Sequence, residues 1–254
     1  MTQAYGPAFA RVYNQRWAGF ALNAAPLIRK YYESTPAGEI RRSLLDLCCG
    51  TGQMARHFLE NGYTVTGIDL SQDMLNWARE NNLPFLTTGA AAFIQGDAVS
   101  FELEHPVGLV VSLFDALNHL PGLPALKNCF GCVRASLHPG GMFIFDLNTC
   151  QGLKRQWTGI SIDDLPELFM CNRSIWIEDN LRAYVRITGF VRQENGTFER
   201  FEQTVFNSTF ELEGVRRALF ESGFRSVHIS RLADLATPLE APEQENRVFF
   251  VATL

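Results

Sequence analysis

No apolar run in this chain approaches the ~20 residues needed to cross a bilayer, so a membrane-spanning helix is not expected. The opening residues Met1-Thr2-Gln3-Ala4-Tyr5-Gly6-Pro7 carry neither the positive charge nor the apolar stretch of a secretory signal, and a cytoplasmic location follows as the default. Excess positive charge is also missing. With 22 Lys and Arg against 27 Asp and Glu the formal net charge is −5, whereas a nucleic-acid partner calls for a basic surface, so none is expected. Cysteine is sparse, at six in 254 residues, and only Cys129-x-x-Cys132 has the spacing of a metal pair. No second Cys/His pair supports it. Leu126, Cys129, Phe130, Val133 and Leu137 fall on one apolar helical face, so these thiols read as core and no metal site is expected.

What the chain does have is length enough for one full core plus an appended subdomain, and a telling turn. Leu44-Leu45-Asp46-Leu47-Cys48-Cys49-Gly50-Thr51-Gly52 is an apolar strand carrying an acid that runs into closely spaced glycines. Gly50 and Gly52 permit conformations and close approaches that a Cβ would block, as a nucleotide-like cofactor requires. A helix follows, with Met54, Ala55, Phe58 and Leu59 on one face and Gly62 as its C-terminal cap. A second strand, Val65 to Ile68, ends in Asp69, about where a ribose-binding acid belongs. Ser71 is set to cap the next helix, whose apolar face is Met74, Leu75 and Ala78, and Asn81-Asn82-Leu83-Pro84 stops it. A third run, Ala92 to Ala98, carries Gly96-Asp97, and a fourth, Val107 to Leu113, leads into Phe114-Asp115. Four strand ends thus present polar groups to one edge. Any single acid of this kind can be a turn former.

Gly50-Thr51-Gly52-Gln53-Met54-Ala55 also satisfies a dinucleotide fingerprint, so a nicotinamide oxidoreductase is one alternative. Asp46 within the first strand argues against it, because such a site has no evident use for a buried carboxylate there. With Asp46, Gly50 and Gly52, then Gly67-Ile68-Asp69-Leu70-Ser71, Gly96-Asp97-Ala98 and Phe114-Asp115-Ala116-Leu117-Asn118-His119, the chain resembles the class I S-adenosylmethionine-dependent methyltransferases, strongly over about 40–150. The resemblance implies an α/β fold with a Rossmann-like seven-stranded, mostly parallel sheet closed by an antiparallel strand pair. It implies S-adenosylmethionine as cofactor. Asp46 would organise the glycine loop (Cys49, Gly50, Thr51, Gly52) and the amino acid end of the cofactor. Asp69 would take the ribose, Asp97 the adenine amino group with Ala98 donating to the ring, and Leu70 and Met74 would sandwich the base. Gly96, Phe114 and Asn118 complete the expected cofactor set. Two departures stand out: Cys48 replaces the family's first glycine, so its side chain should point away from the ligand, and His119 stands where relatives usually have tyrosine. The Pro-Pro-aromatic loop of the family's amino-directed DNA enzymes is absent.

After Pro139-Gly140-Gly141 comes a fifth strand, Met142 to Phe145, with Asp146 following it. Residues 150–170 read as irregular or helical. Three β-rich runs then follow, Ser174 to Ile177, Ala183 to Arg192 and Phe198 to Phe210, with Asn195-Gly196 as a hairpin turn. A helix at Leu212 to Phe220 and the strands Ser226 to Ile229 and Val248 to Ala252 complete the chain. The division expected is a core of 1–150 and 211–254, with an N-terminal helical lid over 1–36, and an inserted antiparallel β cap over 151–210. Glu199-Arg200-Phe201-Glu202-Gln203 followed by Gly223-Phe224 is similar to the pattern of small-molecule methyltransferases with a cap in this place. Arg182, Tyr184 and Arg186 alternate onto one cap face, either as a solvated surface or as a basic wall for an anionic substrate.

Tyr5, Phe9, Tyr13, Trp17 and Phe20 recur every three or four residues, predicting an aromatic helix that in the family folds over the cofactor. Tyr13 and Arg16 are the expected contacts to substrate or to the cofactor carboxylate; plain packing suits Phe9, Trp17 and Phe20. The expected function is methyl transfer to a nitrogen, oxygen or carbon of a small molecule, with Asp115 and His119 as candidate bases. A non-catalytic cofactor-binding protein is the other alternative, and oligomeric state is left open.

Overall fold

The computed structural model describes residues 5–193 and 195–254; the expectations placed on Met1 to Ala4 lie outside the described residues. In chain order the elements are α1 (Pro7–Arg16), α2 (Ala18–Glu33), α3 (Pro36–Ile40), β1 (Ser43–Leu47), α4 (Gln53–Glu60), β2 (Thr64–Asp69), α5 (Gln72–Asn81), α6 (Leu83–Thr87), β3 (Ala91–Gln95) and β4 (Val107–Ser112). They continue as α7 (Leu123–Ser136), β5 (Leu137–Asn148), α8 (Cys150–Gln156), β6 (Gly159–Leu165), β7 (Leu168–Ile177), β8 (Arg182–Arg192), β9 (Phe198–Ser208), α9 (Leu212–Glu221), β10 (Ser226–Ser230) and β11 (Arg247–Thr253).

Strands that read as unbroken apolar runs need cover on both faces, and helices supply it. β4 is buried along its whole length, and Leu44, Leu45 and Leu47 of β1 are fully buried. The sheet order is β10-β11-β5-β4-β1-β2-β3, parallel from β5 to β3 and closed by the antiparallel pair β10 and β11. Strand order reverses between β1 and β4, which puts the ligand crevice at their carboxyl ends. Below it, Phe145 stacks on Phe250 at 4.9 Å and on Phe143 at 4.6 Å, a ring column that anchors β5 to β11. Cys129 is wholly buried in the same core, and all six cysteines are free.

A second sheet, β6-β7-β8-β9, is antiparallel throughout. Its inner face, including Val185 and Ile187, packs with Phe9 of α1 and Met74 of α5. Three expectations change here. The cap region has a fourth strand, β6, within the stretch read as irregular; it is an edge strand exposed along most of its length, and its Ile160-Ser161-Ile162-Asp163 alternation is only four residues long. β5 extends past the predicted Phe145 to Asn148, so Asp146 lies inside the strand and fully buried. The single aromatic helix is two, because the chain breaks at Trp17 between α1 and α2.

Candidate active site

The glycine turn follows β1, and its backbone explains its sequence. Gly50 and Gly52 take φ of +54° and +81°, and a Cβ on Gly52 would stand 2.7 Å from the Asn82 amide nitrogen and 3.1 Å from Ala78. Cys48, in place of a glycine, also takes a left-handed φ of +61°; its side chain packs toward the sheet core yet still borders the cleft. Asp46 accepts a hydrogen bond from the Ala55 N–H (3.2 Å), tying β1 to the first turn of α4. Burial, with Asp69 nearby, raises its pKa to about 7. Asp69 accepts from the Gly50 N–H (2.8 Å) and the Ser71 N–H (2.9 Å), so it braces the loop from β2. Its pKa is raised by burial, against the pull of those backbone donors. Thr51 is buried, with its hydroxyl on Gln53 (2.7 Å). Asn14 of α1 accepts from both Gln53 and Asn81 at 2.8 Å, and Asn81 also donates to the Thr51 carbonyl, so α1 is bonded to the glycine loop.

At the end of β2, Ser71 caps α5 through the Met74 N–H (3.2 Å) and donates to the Tyr5 carbonyl (2.7 Å). Met74 is buried against α1, while Leu70 is half-buried. Gly96 and Asp97 follow β3; Asp97 accepts from the Val99 N–H (3.1 Å), and Ala98 is buried.

The other side of the cleft is aromatic. Tyr13, Trp17, Phe20 and Phe114 border it with Asp46, Cys48 and Cys49, and Tyr13 lies 3.4 Å from where a Gly50 Cβ would be. Phe20 stacks on Phe114 at 4.9 Å. The space between these walls is about 30 Å³.

Several predicted site residues have other partners. Arg16 turns away from the cleft to Asp163 of β6 (3.3 Å), with both side chains partly in solvent; helical phase at the end of α1 decides this. Asn118 donates to the Asn148 and Ser208 carbonyls and accepts from the Asn148 N–H, so it joins the turn after β4 to β5 and β9 and does not reach the cleft. Asp115 does not stand free as a base: Arg247 donates to it at 2.7 Å. Arg182 and Arg186 lie on the outer face of the cap, Arg182 donating to the Pro121 carbonyl and Arg186 to Glu202 (2.7 Å), so the basic wall is not there. His119, in the 3-10 turn Ala116–His119, is held by a hydrogen bond to the backbone of Phe206 and meets the Tyr5 ring edge-on at 6.5 Å. Burial lowers its pKa, against the Asp115 charge.

Two residues beside the site have no place in the sequence-based expectations: Arg247, the partner of both Asp115 and Asp146, and Asn14. A signal for the first exists: Asp146 in the apolar run Met142 to Leu147 needs a counter-ion once buried.

A glycine turn braced by Asp46 and Asp69, opening at the switch point between β1 and β4, is the site of a class I S-adenosylmethionine-dependent methyltransferase, and its left-handed glycines and loop-edge acid fit that cofactor. The comparisons with known proteins agree with that reading. Residues 44–141 match the family profile of a methyltransferase domain. YqeM of Bacillus subtilis, named as a methyltransferase, is 29% identical over 215 residues, 82% of this chain and 83% of the relative. The dTDP-3-amino-3,4,6-trideoxy-alpha-D-glucopyranose N,N-dimethyltransferase of Streptomyces venezuelae is 33% identical over 130 residues, 51% of this chain and 50% of the relative. In fold, the crystal structure of an S-adenosylmethionine-dependent methyltransferase from Clostridium acetobutylicum superposes with a TM-score of 0.80 at 20% identity, covering 97% of this chain and 98% of that one. The nicotinamide alternative falls with this assignment.

Proposed function

We propose that the acceptor is a small soluble molecule that meets the cofactor methyl between the aromatic lid, the Phe114–Asp115 turn and the four-stranded sheet. The observation that carries this reading is enclosure: Tyr13, Trp17, Phe20 and Phe114 close over the glycine turn to about 30 Å³, which suits a pocket that opens and shuts around small ligands. The amino-sugar substrate in the name of the Streptomyces venezuelae relative supports it. In this reading residues 151–210 act as a cap on a core of 1–150 and 211–254, and Asp69, Leu70, Met74, Gly96, Asp97 and Ala98 hold the nucleoside end, with Asp46, Cys49, Gly50, Thr51 and Gly52 at the amino acid end.

The cofactor supplies an electrophilic sulfonium methyl; the chain's residues do the rest. Alignment by the enclosing walls can supply about 7–11 kcal/mol of the barrier, more than a base typically adds. His119 is kept neutral by burial and is the group able to take a proton from the acceptor, because Asp115 is engaged by Arg247. A cytoplasmic setting suits six unpaired thiols, and among the described residues no helix is long and apolar enough to cross a membrane.

Labelling tests the reading. With methyl-tritiated S-adenosylmethionine and a whole-cell extract, label should enter molecules that pass a low-molecular-mass membrane. Label retained only in protein or nucleic acid overturns it.

A further inference from the structure

Phe114 and Asp115 have φ of +62° and +50°, two successive non-glycine residues in left-handed backbone at the end of β4. Such strain persists only where surrounding contacts over-determine it, and it gathers at functional sites. Here the contacts are visible. The Asp115 N–H donates to both Asp146 carboxylate oxygens, at 3.1 and 3.3 Å. Arg247 donates one guanidinium nitrogen to Asp115 (2.7 Å) and another to Asp146. The Asp146 side chain is 0% exposed and that of Asp115 8%, so two carboxylates share one cation away from water. The same guanidinium lies over the rings of Phe20 (4.9 Å) and Phe114 (5.7 Å). Phe20 belongs to the lid, Phe114 to the turn and Arg247 to the last strand.

We propose that Arg247 is a positioning residue for methyl transfer: by bridging Asp115 and Asp146 beside the Phe20–Phe114 ring pair, it holds the left-handed turn and latches the lid over the cofactor. It rests on the cofactor site described above. Without the guanidinium, two adjacent buried carboxylates must share a proton or repel each other. At low pH Asp146, whose pKa burial raises, keeps a proton that it can donate to Asp115, and the turn holds. As pH rises the proton leaves, repulsion opens the turn, and the lid loses its anchor.

Among the described residues, the other ionisable groups that feel the Asp115 charge are Tyr5 and Tyr13 of the N-terminal segment and His119 of the 3-10 turn. Burial raises the pKa of both phenols and lowers that of the imidazole, so it favours the neutral form of each. Asp46, whose pKa burial raises to about 7, is present in every variant.

The test is calorimetric binding of S-adenosylhomocysteine to the full chain between pH 6 and pH 8. The expected dissociation-constant ratio of Arg247→Met to wild type rises with pH to about tenfold or more at the upper end. Adding Asp146→Asn, which removes one acid but keeps an oxygen for the Asp115 N–H, should flatten that rise and restore part of the affinity. Arg247→Lys, which keeps charge but loses the planar fork, should bind about fivefold more weakly without a pH trend. A ratio for Arg247→Met that is constant with pH, or a double variant no better than the single at pH 8, overturns the proposal. Should Arg247→Met fail to fold, wild-type affinity in Arg247→Lys at every pH overturns it instead. Failure of the wild type to bind the probe counts against the cofactor site and not against Arg247.

Discussion

In β5 of the seven-stranded sheet Asp146 is wholly buried and an arginine from another strand meets it, whereas in β8 of the four-stranded sheet alternate residues face water and Arg186 pairs with Glu202 in the open. The first sheet has helices on both faces, so a charge on it must be paired or neutral. The second has one face against α1 and the other free, so its charges cost little and hold little. The location of a charged residue on these sheets therefore says more about its role than its sign does. Arginines on the cap, attractive as a substrate wall in the sequence, are surface. A lone arginine at the start of β11 is at the site.

The contrast can be broken or sharpened by substitution. Phe145→Ala in the ring column of the large sheet should cost about 3–5 kcal/mol in denaturant unfolding, because truncation leaves a cavity among stacked rings that cannot collapse. A loss no larger than that of a cap surface change would erase the difference between the sheets. Asp69→Ala leaves the Gly50 and Ser71 N–H groups without their carboxylate and, in our reading, the cofactor ribose as well, so S-adenosylhomocysteine should bind about 1–3 kcal/mol more weakly by calorimetry. Unchanged affinity would sink the ribose assignment.

Asp46→Asn sharpens the comparison through pH. The folded-state pKa of Asp46 is raised from 3.8 to about 7, so between those values the folded chain holds a proton that the unfolded chain has released. Stability from this group is therefore present below about pH 4 and falls as pH rises to about 7. The Asn variant should lack that slope, and its melting temperature should gain on the wild type from pH 5 to pH 7.5. Parallel melting curves across that range would show that Asp46 is not buried as a proton carrier. Smallest of all, Arg186→Ala should change stability by less than about 0.5 kcal/mol, since both partners lie on an open face. A loss several times larger would mean that the outer face is covered in solution.

Much of the fold is legible in the residues themselves. The 3.6-residue spacing of Met54, Ala55, Phe58 and Leu59 maps onto the buried face of α4, Ser71 caps α5, and Asn195-Gly196 turns the β8–β9 hairpin, because each of these signals depends on neighbours in the chain. β6 escapes because its Ile160-Ser161-Ile162-Asp163 alternation is only four residues long and, with both faces exposed, marks no buried side. Arg16 is misplaced by its spacing because amphipathic periodicity gives a face but not the partner that face meets, here Asp163.

By itself, then, the sequence determined the βα order, the glycine turn and the acids at the strand ends, all of which follow from periodicity and turn chemistry within a few residues. Tertiary structure alone decided how charges pair. Arg247 reaches Asp115 across 132 residues because β11 inserts antiparallel beside β5 and brings its first residue to the edge where the parallel strands end. Burial there, and not any local pattern, turns two acids, one arginine and two phenylalanine rings into a single unit.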